Sequence, residues 1–591
     1  MNDFDKNELW LYALAFCVAV ALRFFALGAL PLSEAEAKWA LQALYVAQGM
    51  RPLLGPQPIY ILPTALLFFL FGATDFLARF VPALTGSLLV GLPFLFRQRL
   101  KPTSGLLLAF CLALDPGLIA LSRQAGSPMP ALAFSLLAWA FWWRGQPRMA
   151  GVLAALALLS GPALWPGLLS LGLAWGLGEL ARPRAAASTD GEKPSITESG
   201  QGEVPTRRND LQAALMAGGV VILLGGTLLF LAPNGMSAWL ASLPEWLSGW
   251  GRPAGVPAGR LLLALAIYQP LAVLFGLAAL WRGVWQGRRR FVRLGLWLCM
   301  ALLLALMYPA RQVSDLAWVL IPLWALAALE SSNHVHWPQE GREALGIGLL
   351  LALFLIFAWL NYANIALDPT NPAHLTPTQI QYGGNILLGN LPPVRYLLLA
   401  SLFLLLVIGM LLVSLGWSPR TARLATLWGL TMTLGLYALG MAWSATGLRT
   451  PQGWELWQDG PRPVQANLLR ETVEQLSAWN GGDEQGQEVT LVGIDSPALN
   501  WLLRNHALHH ASGLDPLQTP PLVVTSNQED LSLTSAYRGQ DFLWQQEPDW
   551  PNANLYKWIH WSVFHELPYT TETIILWVRA DLFPDAHPSL Q

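Results

Sequence analysis

Apolar segments separated by short polar connections recur along most of the chain. Between residues 9 and 444, runs of roughly 15 to 22 apolar residues alternate with stretches rich in arginine, glycine and proline, close to the length that an α-helix needs to cross a bilayer. The pattern predicts about thirteen membrane-spanning helices, at residues 9–30, 80–96, 103–121, 129–143, two short helices within 150–180, 211–232, 261–282, 294–308, 314–330, 344–361, 395–416 and 424–444.

The basic residues predict the orientation of these helices. Connections such as "RQRLK" (97–101) and "RGVWQGRRRFVR" (282–293) fall on one side of the predicted membrane, and cytoplasmic connections are enriched in Lys and Arg. The N-terminus is therefore predicted inside and the C-terminal tail outside. Counting residues 62–76 as a span would place "RQRLK" outside, so this stretch is predicted to be a juxtamembrane helix.

The tail has a different pattern from the rest of the chain. Short apolar runs at residues 488–494, 521–526 and 572–579 are typical of strands, and residues 463–479 are typical of a helix. We therefore predict a membrane domain at 1–444 with an external juxtamembrane loop at 31–79, a disordered cytoplasmic linker at 181–210, and an extracytoplasmic α/β domain at 445–591. Neither a GxGxxG motif nor a P-loop follows the first tail strand, so no nucleotide-binding site is predicted.

Composition supports the same class. Hydrophobic residues make up 54% of the 591 residues and charged residues only 12%, whereas soluble domains carry about 25% charged residues. The sequence thus predicts a multi-pass protein of the cell membrane. A net charge of −2 gives no indication of a nucleic-acid partner.

Two glutamates at a predicted helix start are the first candidates for catalysis. Glu34 and Glu36 follow the first span on the outer face, where partial desolvation would suit a carboxylate acting as a general base. The alternative is structural, because acidic residues favour the first turn of a helix through its dipole. Arg23, near the outer end of the first span, is expected to form an ion pair with one of them.

Three arginines are predicted at the outer surface. Arg79, Arg123 and Arg311 suit a lipid-linked phosphate, since the guanidinium group can contact two phosphate oxygens at once. Each has the alternative of anchoring to lipid headgroups. Asp315 is a candidate partner for Arg311.

Metal or other cofactor use is not predicted. His506, His509 and His510 lie at near-helical spacing, but a zinc site needs further ligands that the sequence does not supply. We interpret them as surface residues.

The order of motifs in the first third of the chain resembles a known family. "AEAKWA" (35–40), "QPIY" (57–60), "LLFFLFG" (66–72), "RFVPAL" (79–84) and "SRQAGSPMP" (122–130) follow one another as do similar motifs in glycosyltransferase family 39. This family of GT-C membrane enzymes includes protein O-mannosyltransferases and aminoarabinose transferases. The tail segments "DSPALNWLLR" and "YRGQDF" resemble bacterial and archaeal relatives described as flippase-activity-associated proteins.

The resemblance implies a fold, a donor and roles for particular residues. It implies a GT-C fold and an enzyme that passes a sugar from a polyprenyl-phosphate donor, with inversion, to a glycan, protein or lipid acceptor on the outer face. Glu36 matches the acidic residue of the first external loop, Arg79 the arginine beside the donor phosphate, and Arg123 the arginine of the second loop. Two family aspartates align with Ala35 and Pro128. These departures support an alternative, a non-catalytic relative that binds lipid-linked sugars or assists their transport or assembly.

Overall fold

The computed structural model describes most of the chain. The described residues are 3–180, 203–253, 255–333, 341–368, 378–382, 385–391, 393–448, 453–458, 460–481, 487–515, 517–526 and 535–583. Most of the predicted linker, residues 181–202, lies outside them, and residues 203–210 begin a helix.

Helices make up the first three quarters of the chain. They are α1 (Asp3–Phe24), α2 (Glu34–Ala47), α3 (Pro58–Phe71), α4 (Asp75–Leu89), α5 (Leu92–Leu95), α6 (Pro102–Leu114), α7 (Pro116–Ser122), α8 (Met129–Trp143), α9 (Pro147–Leu158), α10 (Leu164–Leu180), α11 (Glu203–Gly226), α12 (Asn234–Leu240), α13 (Ser242–Ser248), α14 (Ala258–Tyr268), α15 (Pro270–Trp285), α16 (Arg289–Met307), α17 (Ala317–Ser332), α18 (Gly341–Leu367), α19 (Val394–Gly416) and α20 (Pro419–Ala445).

The predicted spans all fall on helices, but two of them are bent. Among the described residues, eight helices are long and apolar enough to cross a membrane, or up to ten when each bent pair counts as one span. The pair α6–α7 bends by 54° and the pair α14–α15 by 95°, in both cases where a proline begins the second helix. A multi-pass helical architecture is confirmed, while the count of about thirteen and the orientation stay predictions.

The external loop predicted at residues 31–79 is an ordered pair of helices. A capping box starts α2, in which Ser33 and Glu36 satisfy each other's backbone N–H groups. The segment predicted to be juxtamembrane is α3, a short apolar helix of 14 residues. It packs against both α2 and α4.

The tail folds into a mixed six-stranded sheet with three helices, which confirms an α/β domain. Besides a separate hairpin of β1 (Thr378–Tyr382) and β2 (Asn385–Leu391), the strands are β3 (Arg462–Pro463), β4 (Glu488–Val492), β5 (Ala507–Ala511), β6 (Leu522–Ser526), β7 (Tyr537–Pro548) and β8 (Tyr569–Arg579). Their order is β3-β7-β8-β6-β4-β5, with β4 parallel to β5 and β6. The helices are α21 (Ala466–Gly481), α22 (Pro497–Leu502) and α23 (Leu555–Phe564).

The three tail histidines differ in exposure. His509 and His510 lie on the edge strand β5 and are exposed, as predicted, whereas the prediction of a surface position is wrong for His506, which is buried. The Nε2 atom of His509 lies 3.1 Å from Oε1 of Glu488 on the neighbouring strand. In the part of the chain that the structure describes, no group of three His, Cys, Asp or Glu residues is arranged to hold a metal ion.

The tail domain and the membrane domain share their apolar cores. Tyr60, Ile61 and Phe68 of α3 belong to the same buried cluster as Leu491 and Val524 of the sheet. A second cluster joins the membrane helices to tail residues such as Trp457 and Trp561. The two domains therefore pack as one body, and the candidate site lies between them.

Candidate functional site

A cavity of about 510 Å³ lies between the membrane domain and the tail domain. The membrane side supplies the end of α1 and the loop after it, the start of α2, and the loop at 123–128; the tail side supplies residues around β3. Four of the lining residues carry a charge: Glu36, Arg79, Arg123 and Arg462. Three predicted site residues are thus brought together, and a fourth comes from the tail.

Glu36 and Arg79 form a buried ion pair in the wall of this cavity. Nε of Arg79 donates to Oε1 of Glu36 and Nη2 donates to Oε2, each at 2.7 Å. Ser33 donates to Oε2 through its backbone N–H and its hydroxyl, and the backbone N–H of Ala125 donates to Oε1 at 3.0 Å. The carboxylate is therefore surrounded by donors on both oxygens.

These contacts determine the protonation of Glu36. Burial alone would raise the pKa of its carboxyl, but the charge and hydrogen bonds of Arg79, together with Ser33 and Ala125, outweigh burial and lower the pKa. Glu36 is therefore a carboxylate at neutral pH. As long as Arg79 is hydrogen-bonded to it, this carboxylate is a weak proton acceptor.

The loop that brings Ala125 to Glu36 depends on a glycine. Gly126 has a φ of +72°, and a Cβ at this position would lie 2.3 Å from the ring of Trp39. The loop packs on the indole of α2 with no space for a side chain, so Gly126 is needed for both the backbone conformation and the close approach.

The other donors of Arg79 are used by backbone carbonyls. Its Nη1 donates to Leu27 and Leu30, at 3.1 and 2.7 Å, and its Nη2 donates to Pro31 at 3.1 Å. All five N–H groups of this guanidinium have partners. Arg79 thus fixes the segment between α1 and α2 around Glu36.

Arg123 also contacts backbone carbonyls at the end of α1. It donates to the carbonyls of Leu22, Arg23, Phe25 and Ala26 at 2.9 to 3.2 Å. The last carbonyls of a helix lack intrahelical partners, and the carbonyl of Ala26, just beyond α1, also accepts a hydrogen bond from the backbone N–H of Ala29 at 3.2 Å. Arg123 therefore caps α1 while its charge stays in the cavity wall.

The expected ion pair of Arg23 with Glu34 or Glu36 is wrong. Arg23 is fully buried and donates to Ser122 Oγ and to the carbonyls of Ala19, Leu112 and Ala113. Because Arg23 is packed among the helices and hydrogen-bonded there, it does not pair with either glutamate.

Glu34 points away from the cavity and contacts the tail domain. Its Oε1 accepts hydrogen bonds from the Ser496 hydroxyl and the Gln545 side chain, and its Oε2 accepts one from the backbone N–H of Ala498 at 3.0 Å. A carboxylate at the N-terminus of α22 is favourable because unpaired N–H groups point at it. Glu34 is thus a domain-docking residue in this structure.

Arg311 and Asp315 lie beside the cavity rather than in its wall. Arg311 donates to the carbonyls of Val256, Leu306 and Tyr308. Asp315 accepts a hydrogen bond from the backbone N–H of Gln312 at 2.9 Å. Between them, Ser314 does line the cavity.

Sequence reasoning missed the tail's contribution, above all Arg462. This residue forms β3 and lies over the ring of Trp454, with its guanidinium carbon 5.3 Å from the ring centre. Burial lowers the pKa of Arg462 to about 10, although Glu455 and Glu36 oppose the shift. One signal in the sequence could have pointed to Arg462. It lies between two prolines shortly after the aromatic segment "GWELWQ" (453–458), which follows the last predicted span.

The two positions where aspartates were expected face the cavity. Ala35 and Pro128 are both lining residues. The motif alignment therefore leads to two positions in the wall of this cavity. In the described part of the chain, Glu36 is the cavity's one acidic residue.

Comparisons with known proteins agree with the resemblance. Residues 41–177 match the family described as dolichyl-phosphate-mannose-protein mannosyltransferase. This segment contains Arg79 and Arg123 and begins five positions after Glu36. No curated protein is significantly similar to the chain.

Several solved structures are similar to this chain at low identity. ArnT from Cupriavidus metallidurans bound to undecaprenyl phosphate is 15% identical, with 98% of each chain covered and a TM-score of 0.49. The oligosaccharyltransferase AglB from Archaeoglobus fulgidus, in complex with an inhibitory peptide and a dolichol-phosphate, is 13% identical, with 89% of this chain and 70% of that chain covered and a TM-score of 0.41. The arabinosyltransferase EmbB from Mycobacterium smegmatis is 14% identical, with 76% and 42% covered and a TM-score of 0.38. The resemblance drawn from the motifs is confirmed by the family match over residues 41–177.

Proposed function

We propose that the chain is a membrane glycosyltransferase that moves a sugar from a polyprenyl-phosphate donor to an acceptor on the outer face. The charge of the cavity is the observation that carries this proposal. Three arginines and one glutamate line it, which leaves a net charge of +2 when all four are ionised. The family match over residues 41–177 supports the same donor class.

This charge suits the departing group more than the bound donor. A sugar linked to polyprenyl phosphate is a phosphodiester with one negative charge, and the released polyprenyl phosphate approaches two. Positive groups already in place stabilise the charge that develops as the bond breaks. The cavity therefore favours the transition state over the substrate.

The reaction is a single displacement. The oxygen of an acceptor hydroxyl attacks the anomeric carbon, the bond from that carbon to the phosphate oxygen breaks, and polyprenyl phosphate leaves with the electron pair. Attack opposite the leaving group inverts the configuration of the sugar. The acceptor loses its proton to Glu36, whose pKa rises when the negatively charged phosphate of the donor binds in the same cavity.

A second candidate function is binding of lipid-linked sugar without transfer. Ala35 and Pro128 replace the aspartates that the resemblance implies, and both face the cavity. The carboxylate of Glu36 is also fully hydrogen-bonded. On this reading the Glu36–Arg79 pair is structural, and the cavity only holds the donor.

Transfer of radiolabel separates the two functions. The full chain in lipid nanodiscs is given undecaprenyl phosphates carrying radiolabelled hexoses or pentoses, and sugar released to an acceptor or to water is measured beside donor binding. We expect Glu36→Gln to lower turnover at least about 100-fold, as loss of a general base does, without weakening donor binding. Lys38→Gln, an exposed residue on the same helix, is the matched control.

The glutamate assignment has a further check. Glu36→Asp keeps the charge beside Arg79 and moves the carboxylate back, so it tests the base even if Glu36→Gln folds poorly. Turnover unaffected by Glu36→Gln and by Glu34→Gln contradicts an acidic catalytic residue on α2. Donor binding without turnover by the wild type supports the second candidate.

A further inference from the structure

The arginines of the membrane domain have few donors left for a ligand. Every N–H group of Arg79 is used by Glu36 or by a backbone carbonyl. Arg123 donates to four carbonyls at the end of α1 through its Nη1 and Nη2 atoms, and turning it would break all four hydrogen bonds. Both side chains therefore supply charge to the cavity more readily than hydrogen bonds.

Arg462 differs from both. Its Nη1 donates to the carbonyl of Gly453 at 3.0 Å, while its Nη2 is shielded from solvent and has no hydrogen-bond partner among the described residues. A buried donor without an acceptor is unfavourable, and such groups in native structures call for an explanation. Since Arg462 lines the cavity, an anion bound there would supply the missing acceptor.

The position of Arg462 is held by the same strands that dock the tail domain. Arg462 pairs with Gln546 in the β3–β7 ladder, and Gln546 is also a lining residue. Its neighbour Gln545 donates a hydrogen bond to Glu34 of α2. Gln545, which makes the docking contact, thus directly precedes Gln546, which pairs with Arg462.

We propose that Arg462, from the tail domain, binds the phosphate of the lipid-linked donor through its Nη2 group, and that Glu34 positions it by anchoring Gln545. This inference rests on the proposed function, because it assumes that the cavity holds a polyprenyl phosphate. The membrane domain supplies the glutamate and two fixed charges, and the tail supplies the available phosphate donor. The donor site is complete only when the tail is docked.

Binding of undecaprenyl phosphate to the full chain in nanodiscs tests the proposal, with uncharged undecaprenol as the comparison probe. We expect Arg462→Gln to weaken binding of the phosphate about 10- to 100-fold, the range for a hydrogen bond to a charged group, and to leave binding of the prenol unchanged. Arg462→Lys retains the positive charge but loses the planar pair of N–H donors. Its affinity for the phosphate should lie between that of the wild type and that of Arg462→Gln. Arg538→Gln, an exposed arginine of β7 in the same sheet, is the control and should bind as the wild type does.

Glu34 has its own expected result. As a positioning residue, Glu34→Gln should weaken phosphate binding less than Arg462→Gln and should add little when the two are combined, because both act through one contact. Independent, additive losses would contradict positioning by Glu34.

The outcomes separate this inference from the proposed function. If the wild type does not prefer undecaprenyl phosphate over undecaprenol, the proposed donor class fails. If it does and both Arg462→Gln and Arg462→Lys bind the phosphate as well as the wild type, only the assignment to Arg462 is overturned. A loss of prenol binding as large as the loss of phosphate binding indicates a general disturbance of the cavity and also contradicts the assignment.

Discussion

At the scale of residues, the central feature is the buried pair of Glu36 and Arg79. Removing two charges from water is costly, and their attraction compensates only when the geometry is good and the remaining polar atoms are satisfied. Both conditions hold: two hydrogen bonds of 2.7 Å join the pair, and the backbone satisfies the rest. The pair therefore stabilises the wall of the cavity as well as setting its charge.

Loss of one partner should be costly. Glu36→Gln leaves the buried guanidinium of Arg79 without a counter-charge, and we expect the free energy of unfolding to fall by about 3–5 kcal/mol. Unfolding of the purified protein measures this, with Lys38→Gln as the control. The double variant Glu36→Gln/Arg79→Gln should lose less than the sum of the two single losses, and simple additivity would argue against a coupled pair.

The pair should also make stability depend on pH. Because the pKa of Glu36 is lower in the folded protein than its ordinary value, which is about 4.3, its contribution is fully present above about pH 4.3 and is lost as the pH falls through the lower, folded value. The difference in unfolding temperature between wild type and Glu36→Gln should therefore be constant near neutral pH and should shrink in acid. A difference that stays constant or grows on acidification would contradict this sign.

At the scale of elements, α2 connects the membrane domain to the tail. Two residues in a helix are separated by about 200° of rotation, so Glu34 and Glu36 face nearly opposite directions. Glu36 points to Arg79 and the cavity, while Glu34 points to α22 and β7. The two acids of one helical turn therefore have different roles.

Removing Glu34 should loosen the tail domain locally. Glu34→Ala deletes the acceptor for Ser496, Ala498 and Gln545, and an unsatisfied group of this kind costs about 1–3 kcal/mol. Amide hydrogen exchange at residues 493–499 should become faster by a factor of about 5 to 150, while the strands of the sheet stay protected. Lys38→Ala is the matched exposed control, and equal exchange in both variants would contradict docking through Glu34.

At the scale of the whole molecule, the tail domain packs against the membrane helices on one side of the helix bundle. Glu455, just after the last helix, lies between the two domains: Ser444 donates to its Oε1 at 2.6 Å, and the Tyr268 hydroxyl and His565 contact its Oε2. Burial alone would raise the pKa of Glu455, but the hydrogen bond and charge of His565 and the bonds from Ser444 and Tyr268 outweigh it and lower the pKa. Glu455 thus joins residues of both domains through one buried carboxylate.

The orientation of the molecule is tested by a reporter. A fusion after residue 450 should behave as extracytoplasmic, because the arginine-rich connections between helices are predicted on the opposite, cytoplasmic side of the membrane. A fusion after residue 288, within the basic connection, is the control and should behave as cytoplasmic. The reverse result for both would place the cavity on the cytoplasmic face.

Most helices were predictable from the sequence because apolar length is a local property. The helices around residues 129–143, 395–416 and 424–444 were found at nearly their observed bounds. The bends were harder to predict from the sequence, since the 95° turn before Pro270 depends on how α14 and α15 pack as well as on proline's lack of an N–H group.

The strands at 488–492 and 522–526 were predicted because both are buried apolar runs, whereas β7 was missed because most of its first half is exposed and polar.

The sequence by itself determined the class of the protein, the helix at residue 34 and the set of acids and arginines that are candidates for the site. Composition and periodicity act along the chain, so they are readable without the fold. Only the tertiary structure decided which of these charges meet: Glu36 with Arg79, Glu34 with the tail, and Arg23 with the helix interior. It also brought Arg462, 383 positions after Arg79, to the same cavity, because long-range contacts between side chains depend on packing and leave no local pattern.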